Sequence, residues 1–157
     1  FNMHDLIKHI VKNIGISLLV IITVLISTHA NSEQSAEDII KNRKALFSKN
    51  YNTAKKVQSL SSSGDFDGAK KLMLEMSENY KTLKEMFPDN TKEGFKTEVT
   101  ALVWEEKDKF NSLMEKSSND MIELASIIEN SDNIRGSLGK LMWSNCKACH
   151  SKYRLPH

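Results

Sequence analysis

The sequence predicts an all-α protein built as an antiparallel four-helix bundle. Three observations carry that expectation. Four segments after residue 30 repeat apolar side chains every three or four positions, the spacing that lines one face of a helix. Proline and glycine are scarce, at 2 and 6 of 157 residues, while Lys, Glu, Leu, Met and Ala abound, a mix that favours helix. No stretch alternates apolar and polar residues like a half-buried strand, and the breaks between segments are short enough to join antiparallel neighbours. A chain of this length holds one domain with a real core and is too short for two ordinary ones.

The first thirty residues are a different material. Lys8 and Lys12 give a weakly positive leader, and the apolar run IGISLLVIITVLI follows from Ile14 to Ile26. Small residues at Thr28 and Ala30 then supply a cleavage site. Together these predict a secretory signal over residues 1–30, removed after Ala30, with the working domain at 31–157. The run has 13 residues, short of the ~20 a membrane-spanning helix needs, which argues against the rival of an uncleaved anchor.

The first helix opens at SAED, where Ser35 can cap and Asp38 sits three residues on. Ile39, Ile40, Phe47, Tyr51, Ala54, Val57 and Leu60 form its stripe, and SSSGD at 61–65 ends it. The second helix runs from about Asp67 to Met86, with Ala69, Leu72, Met73, Met76, Tyr80 and Leu83 in register, and Pro88 stops it. FPDNTKEG follows as the most irregular stretch. The third helix spans about Thr100 to Glu129, with Val103, Trp104, Phe110, Leu113, Met114, Met121 and Leu124 as its stripe. The fourth spans about Asp132 to Tyr153 and carries Ile134, Leu138, Leu141, Met142 and Trp143, weakened by Gly136 and Gly139. Most methionine and aromatic positions read as core.

Chemistry concentrates in CKACH, where Cys146, Cys149 and His150 fall within five residues and the cysteines are the only two in the chain. On a helix the two thiols share a face, and His150 lies close to it. Two such thiols can form thioethers with the vinyl groups of a haem while the imidazole meets the iron, and C-x-x-C-H is the signature of that attachment. A thioredoxin-like redox pair expects a βαβ setting that is absent. Structural zinc usually wants four ligands, and His157 is the only other histidine after residue 30. Export makes a plain Cys146–Cys149 disulfide an open alternative. No Gly-rich phosphate loop or nucleophile constellation appears. The formal net charge of +2 implies no strong field toward nucleic acid or membrane.

An exported four-helix chain with C-x-x-C-H near its C-terminal end, followed by an aromatic and an arginine in CHSKYR, resembles the cytochrome c′ family of class II c-type cytochromes. AEDIIKNRKALF looks like that family's first helix, MFPDNTKEG like its loop after helix two, and TALVWEEKDKF like its Trp-containing start of helix three. The resemblance covers essentially all of 31–157 and implies an up-down-up-down bundle. It implies haem c held by Cys146 and Cys149, with His150 as proximal iron ligand. Arg43 would approach a propionate, Trp104 would pack beside the haem, and Arg154 is the basic residue that follows the motif. Where low-spin members place a ligating methionine, this chain has Phe47, and its first helix contains neither Met nor His. The resemblance therefore implies a five-coordinate, high-spin haem that binds NO or CO and passes single electrons to a redox partner. It implies a periplasmic homodimer that is not an enzyme. The alternatives are a low-spin electron carrier and a haem-free exported protein with the disulfide.

Overall fold

The computed structural model describes residues 34–156, so the secretory-signal expectation for 1–30 and its cleavage after Ala30 lie outside the described residues. Helix α1 spans Ala36–Ser63 and α2 spans Phe66–Lys84. A short turn of helix at Asp89–Thr91 precedes α3 (Leu102–Glu105) and α4 (Lys107–Ile127). The last rod is α5 (Ile134–Leu138), a π-helical turn at Gly139–Trp143, and α6 (Ser144–Tyr153). The four rods run up, down, up and down, so the predicted all-α antiparallel bundle is the observed architecture.

Local chemistry explains the ends. Ser35 caps α1: its Oγ accepts from Asp38 N at 3.1 Å and donates to the Asp38 carboxylate at 2.7 Å. Gly64 closes α1 in the left-handed region at φ 82°, a conformation that costs a residue with a Cβ. Asp65 then caps α2 by accepting from Gly68 N at 3.0 Å. Asn133, rather than Asp132, starts the last rod, its Oδ1 accepting from Gly136 N at 2.8 Å.

Packing centres on α2 and α4. Met73, Met76 and Leu83 of α2 meet Met114, Met121 and Leu124 of α4, all essentially inaccessible. Ala54 and Val57 of α1, with Leu138 and Met142 of the last rod, complete the core. Each such aliphatic side chain contributes about 1.5–3 kcal/mol relative to exposure. Methionine is the filler here, suited to irregular gaps between long helices.

Two predicted helices differ from the expectation. The third does not start at Thr100, because residues 98–100 are extended and pair with the C-terminal segment. Thr100 N donates to Tyr153 O at 3.1 Å, Leu155 N donates to Glu98 O at 2.7 Å, and Val99 bridges to Arg154. A break at Glu106 then separates α3 from α4. The fourth is interrupted by the π-helical turn, where Ser144 N reaches back five residues to Gly139 O.

Candidate functional site

CKACH lies on α6, one turn past the π-helical segment. Side chains one turn on reach back to carbonyls of the π-helical turn. Ser144 Oγ donates to Lys140 O, Asn145 Nδ2 to Leu141 O at 2.9 Å, and Cys146 Sγ to Met142 O at 3.8 Å. Asn145 also donates to the Asp120 carboxylate of α4 at 2.9 Å, and both residues are buried. That contact fixes the rotation of α6 about its own axis, and with it the direction in which Cys146, Cys149 and His150 point.

Those three residues line a cavity of about 710 Å³, within the range of small-molecule and cofactor sites. α1 contributes a second wall, with Arg43, Phe47 and Tyr51. Tyr80 of α2, Phe110 and Met114 of α4, and Phe87 close the interior, while Thr97, Glu98 and Val99 form an edge. The lining is mainly aromatic and apolar, as a flat macrocycle requires. Both cysteines are free thiols three residues apart, so the disulfide alternative is not the arrangement found. Burial pushes the Cys146 thiol up, and burial together with neighbouring Cys146 pushes Cys149 up to about 11. Reactive redox cysteines show the reverse, a lowered pKa. Burial, then the two thiols, also raises the Tyr80 phenol. Among the described residues no group of three or more His, Cys, Asp or Glu could hold a metal ion unaided.

Arg43 is the most buried charge in the fold, at 1 % exposure, and lines the cavity. All four of its Nη hydrogens are engaged. Nη1 donates to Met86 O at 3.2 Å and Thr91 Oγ1 at 2.9 Å; Nη2 donates to Thr91 O at 3.2 Å and Thr97 Oγ1 at 2.6 Å. Its guanidinium also stacks on Phe87, 4.6 Å from the ring centre. Burial lowers its pKa to about 10, still charged at neutral pH. Arg43 thus gathers the irregular loop onto α1, a role the sequence alone does not reveal.

Phe47 lies on the α1 wall, four residues after Arg43, and meets Phe87 edge-on at 6.4 Å. Trp104 stands one layer back. It packs edge-on against Phe87 at 6.2 Å and its Nε1 donates to Phe87 O at 3.1 Å, while Phe87 itself meets the cavity. Arg154 lies at the rim. Tyr51, Tyr80, Phe87, Phe110, Met114, Trp143, Asn145 and Tyr153 are among the lining residues that sequence reasoning did not assign to the site. Phe87 alone carried a signal, as a large apolar residue inside an otherwise polar loop.

Two protonated thiols on one helix face, an imidazole beside them and an aromatic cavity are the donor set and enclosure of a covalently attached haem. Comparison with known proteins agrees. A family model described as Cytochrome C′ matches residues 38–154, and the chain belongs to that family. Its cofactor is haem c with its iron. The cytochrome c′ of Rhodopseudomonas palustris is 28% identical over 120 residues, covering 74% of this chain and 82% of the relative. The crystal structure of cytochrome c′ from Rubrivivax gelatinosus superposes with a TM-score of 0.65 at 23% identity, covering 77% of this chain and 98% of that one. The nitric oxide complex of a cytochrome c′ variant from Alcaligenes xylosoxidans gives 0.66 at 17% identity, covering 78% and 98%. At those identities the two structures speak for the fold.

Proposed function

We propose that this chain is a periplasmic gas-binding haem protein that also exchanges single electrons and is not an enzyme. In this reading Cys146 and Cys149 form the thioethers, and His150 ligates the iron from the α6 side. Phe47, whose ring cannot ligate iron, would stand in the cavity in place of a ligating side chain and would crowd an entering ligand. Haem iron supplies the reversible binding of a small neutral ligand such as NO or CO. The observation that carries the reading is Phe47 in the lining of the same cavity as CKACH, on a helix with no thioether or imidazole. Arg43 holds that wall in place and offers its charge to a propionate. Trp104 supports the haem pocket through Phe87. The nitric oxide complex solved for the Alcaligenes xylosoxidans relative supports NO as the ligand. Family habit supports export and a homodimer.

Absorption and EPR spectra of the holoprotein, before and after NO, test the proposal. Five-coordinate, high-spin signals that change on NO addition are expected. A low-spin spectrum with a methionine–sulfur band would overturn it.

A second reading has one observation in its favour: Met114 puts a thioether on the cavity wall, from α4. A low-spin carrier ligated by Met114 would turn high-spin in a Met114→Leu variant. The five-coordinate reading expects no change of spin state.

A further inference from the structure

The net charge of +2 conceals a division of the molecule into two unlike halves. Residues 39–64, nearly all of α1, hold six Lys or Arg and no Asp or Glu. Residues 133–156, the last rod and its tail, hold five and none. Residues 65–132 between them hold 9 Lys and 16 Asp or Glu, a net −7. The two basic segments are neighbours in space. Trp143 Nε1 donates to Gln58 of α1 at 2.9 Å, and the Tyr51 and Trp143 rings meet at 6.2 Å. Both rings line the cavity, so the basic segments flank its mouth.

Much of this charge is not spent inside the fold. Arg43 is committed to the loop, and Lys44, Lys49 and Lys152 pair with Glu98, Glu75 and Glu106. Lys41, Lys55, Lys56, Arg135, Lys140 and Lys147 are exposed, and among the described residues none has a carboxylate within 4.0 Å. A haem would bring two propionates, which offset at most two of the eleven cations in these segments. The cavity lining itself holds Arg43, Lys44, Lys147 and Arg154 against Glu98, so two propionates would still leave it net positive, and an excess of one sign around a cleft draws and orients opposite charge.

We infer that the side formed by α1 and the α5–α6 rod is a docking surface for an acidic one-electron carrier protein. The inference rests on the haem reading above. One electron moves per encounter: the partner is oxidised by one equivalent and ferric iron becomes ferrous, with no bond made or broken. Lys44 of α1 and Lys147 and Arg154 of the last rod and its tail line the cavity that would hold the cofactor. An anionic bilayer is less well matched, since four of the six large exposed apolar residues (Leu74, Phe95, Ile122 and Ile127) lie outside the basic segments. Such complementarity speeds association and sets orientation, and it weakens with salt.

The test uses holoprotein and three probes: a polyglutamate peptide, phosphatidylglycerol vesicles, and a pair of small oxidants of opposite charge, hexacyanoferrate(III) and tris(phenanthroline)cobalt(III). Peptide binding and rapid oxidation by the anionic reagent are expected, both falling as salt rises, with the cationic reagent showing the opposite slope. Lys55→Glu with Lys140→Glu, both off the cavity wall, should weaken the peptide about tenfold and slow the anionic oxidant similarly. Lys81→Glu with Lys109→Glu, on the acidic half, should do neither. Equal effects from the two pairs, or rates indifferent to salt, would overturn the docking surface, as would tighter binding to vesicles than to peptide. A preparation without covalent haem would instead defeat the cofactor reading, and the peptide and vesicle arms would still decide the surface.

Discussion

The α6 wall of the cavity carries its chemistry on five consecutive residues, from Cys146 to His150. The α1 wall is assembled from distant pieces: Arg43 and Phe47 on the helix, Phe87 from the loop after α2, and Thr91 and Thr97 as anchors for Arg43. The first wall is a motif made competent by rotation. The second is a network made competent by closure of a loop. A fault in the first should therefore abolish cofactor attachment while sparing the bundle. A fault in the second should loosen the bundle while sparing attachment.

The sharpest break is Cys146→Ser with Cys149→Ser. Complete loss of covalent haem is expected in a pyridine haemochrome assay, with the helical far-UV spectrum retained, since neither thiol belongs to the core. Next is Arg43→Met. It strands several buried acceptors and removes the clamp on the loop, so a stability loss of about 3 kcal/mol is expected by urea unfolding. Haem yield should stay near normal; a large drop in covalent haem would erase the contrast between the walls.

Asn145→Ala probes whether rotation is what the α6 wall needs. It takes a donor from the Leu141 carbonyl and leaves the buried Asp120 carboxylate with Lys116 alone. A destabilisation of about 1–3 kcal/mol is expected. Because the α6 register depends on that contact, the EPR spectrum of the holoprotein should broaden as well. An unchanged spectrum with only a lowered melting temperature would leave Asn145 a purely structural residue.

The smallest effect concerns Glu106, whose carboxylate accepts from Tyr153 at 3.3 Å and pairs with Lys152 and Lys109. The Lys152 ammonium, then Lys109, holds the Glu106 carboxyl below the usual range. A depressed carboxyl stabilises the fold above its unfolded pKa, near 4.3, and that contribution fades as pH falls through the lowered value. Glu106→Gln should melt slightly below the parent at pH 7, and the two should converge below about pH 4. A gap that persists at low pH would point to packing rather than charge.

The same contrast explains what could be read in advance. Helix-period stripes made α1, α2 and the core methionines legible, because burial in a bundle demands apolar residues at fixed spacing. CKACH was legible because its partners are neighbours in sequence. The fourth rod was expected as plain helix, yet contains the π-turn, since nothing in GKLMW distinguishes it from α-helix without Asp120 to receive Asn145. The start of the third helix was placed too early because Val99 and Thr100 are held by a tail more than fifty residues away. Only the family resemblance singled out Arg43, as a propionate partner, and its burial depends on a loop whose shape no local pattern encodes.

By itself, then, the sequence determined the four-rod architecture, the family and the residues able to hold a haem, since each rests on periodicity or on contiguous side chains. Only the tertiary structure decided which way CKACH faces, which residues share its cavity and how Arg43 is used. It also decided that two separate acid-free segments share one side of the molecule. Those features arise between residues far apart in the chain, and their energies exist only when folding brings the partners within hydrogen-bond, ring-contact or Coulomb range.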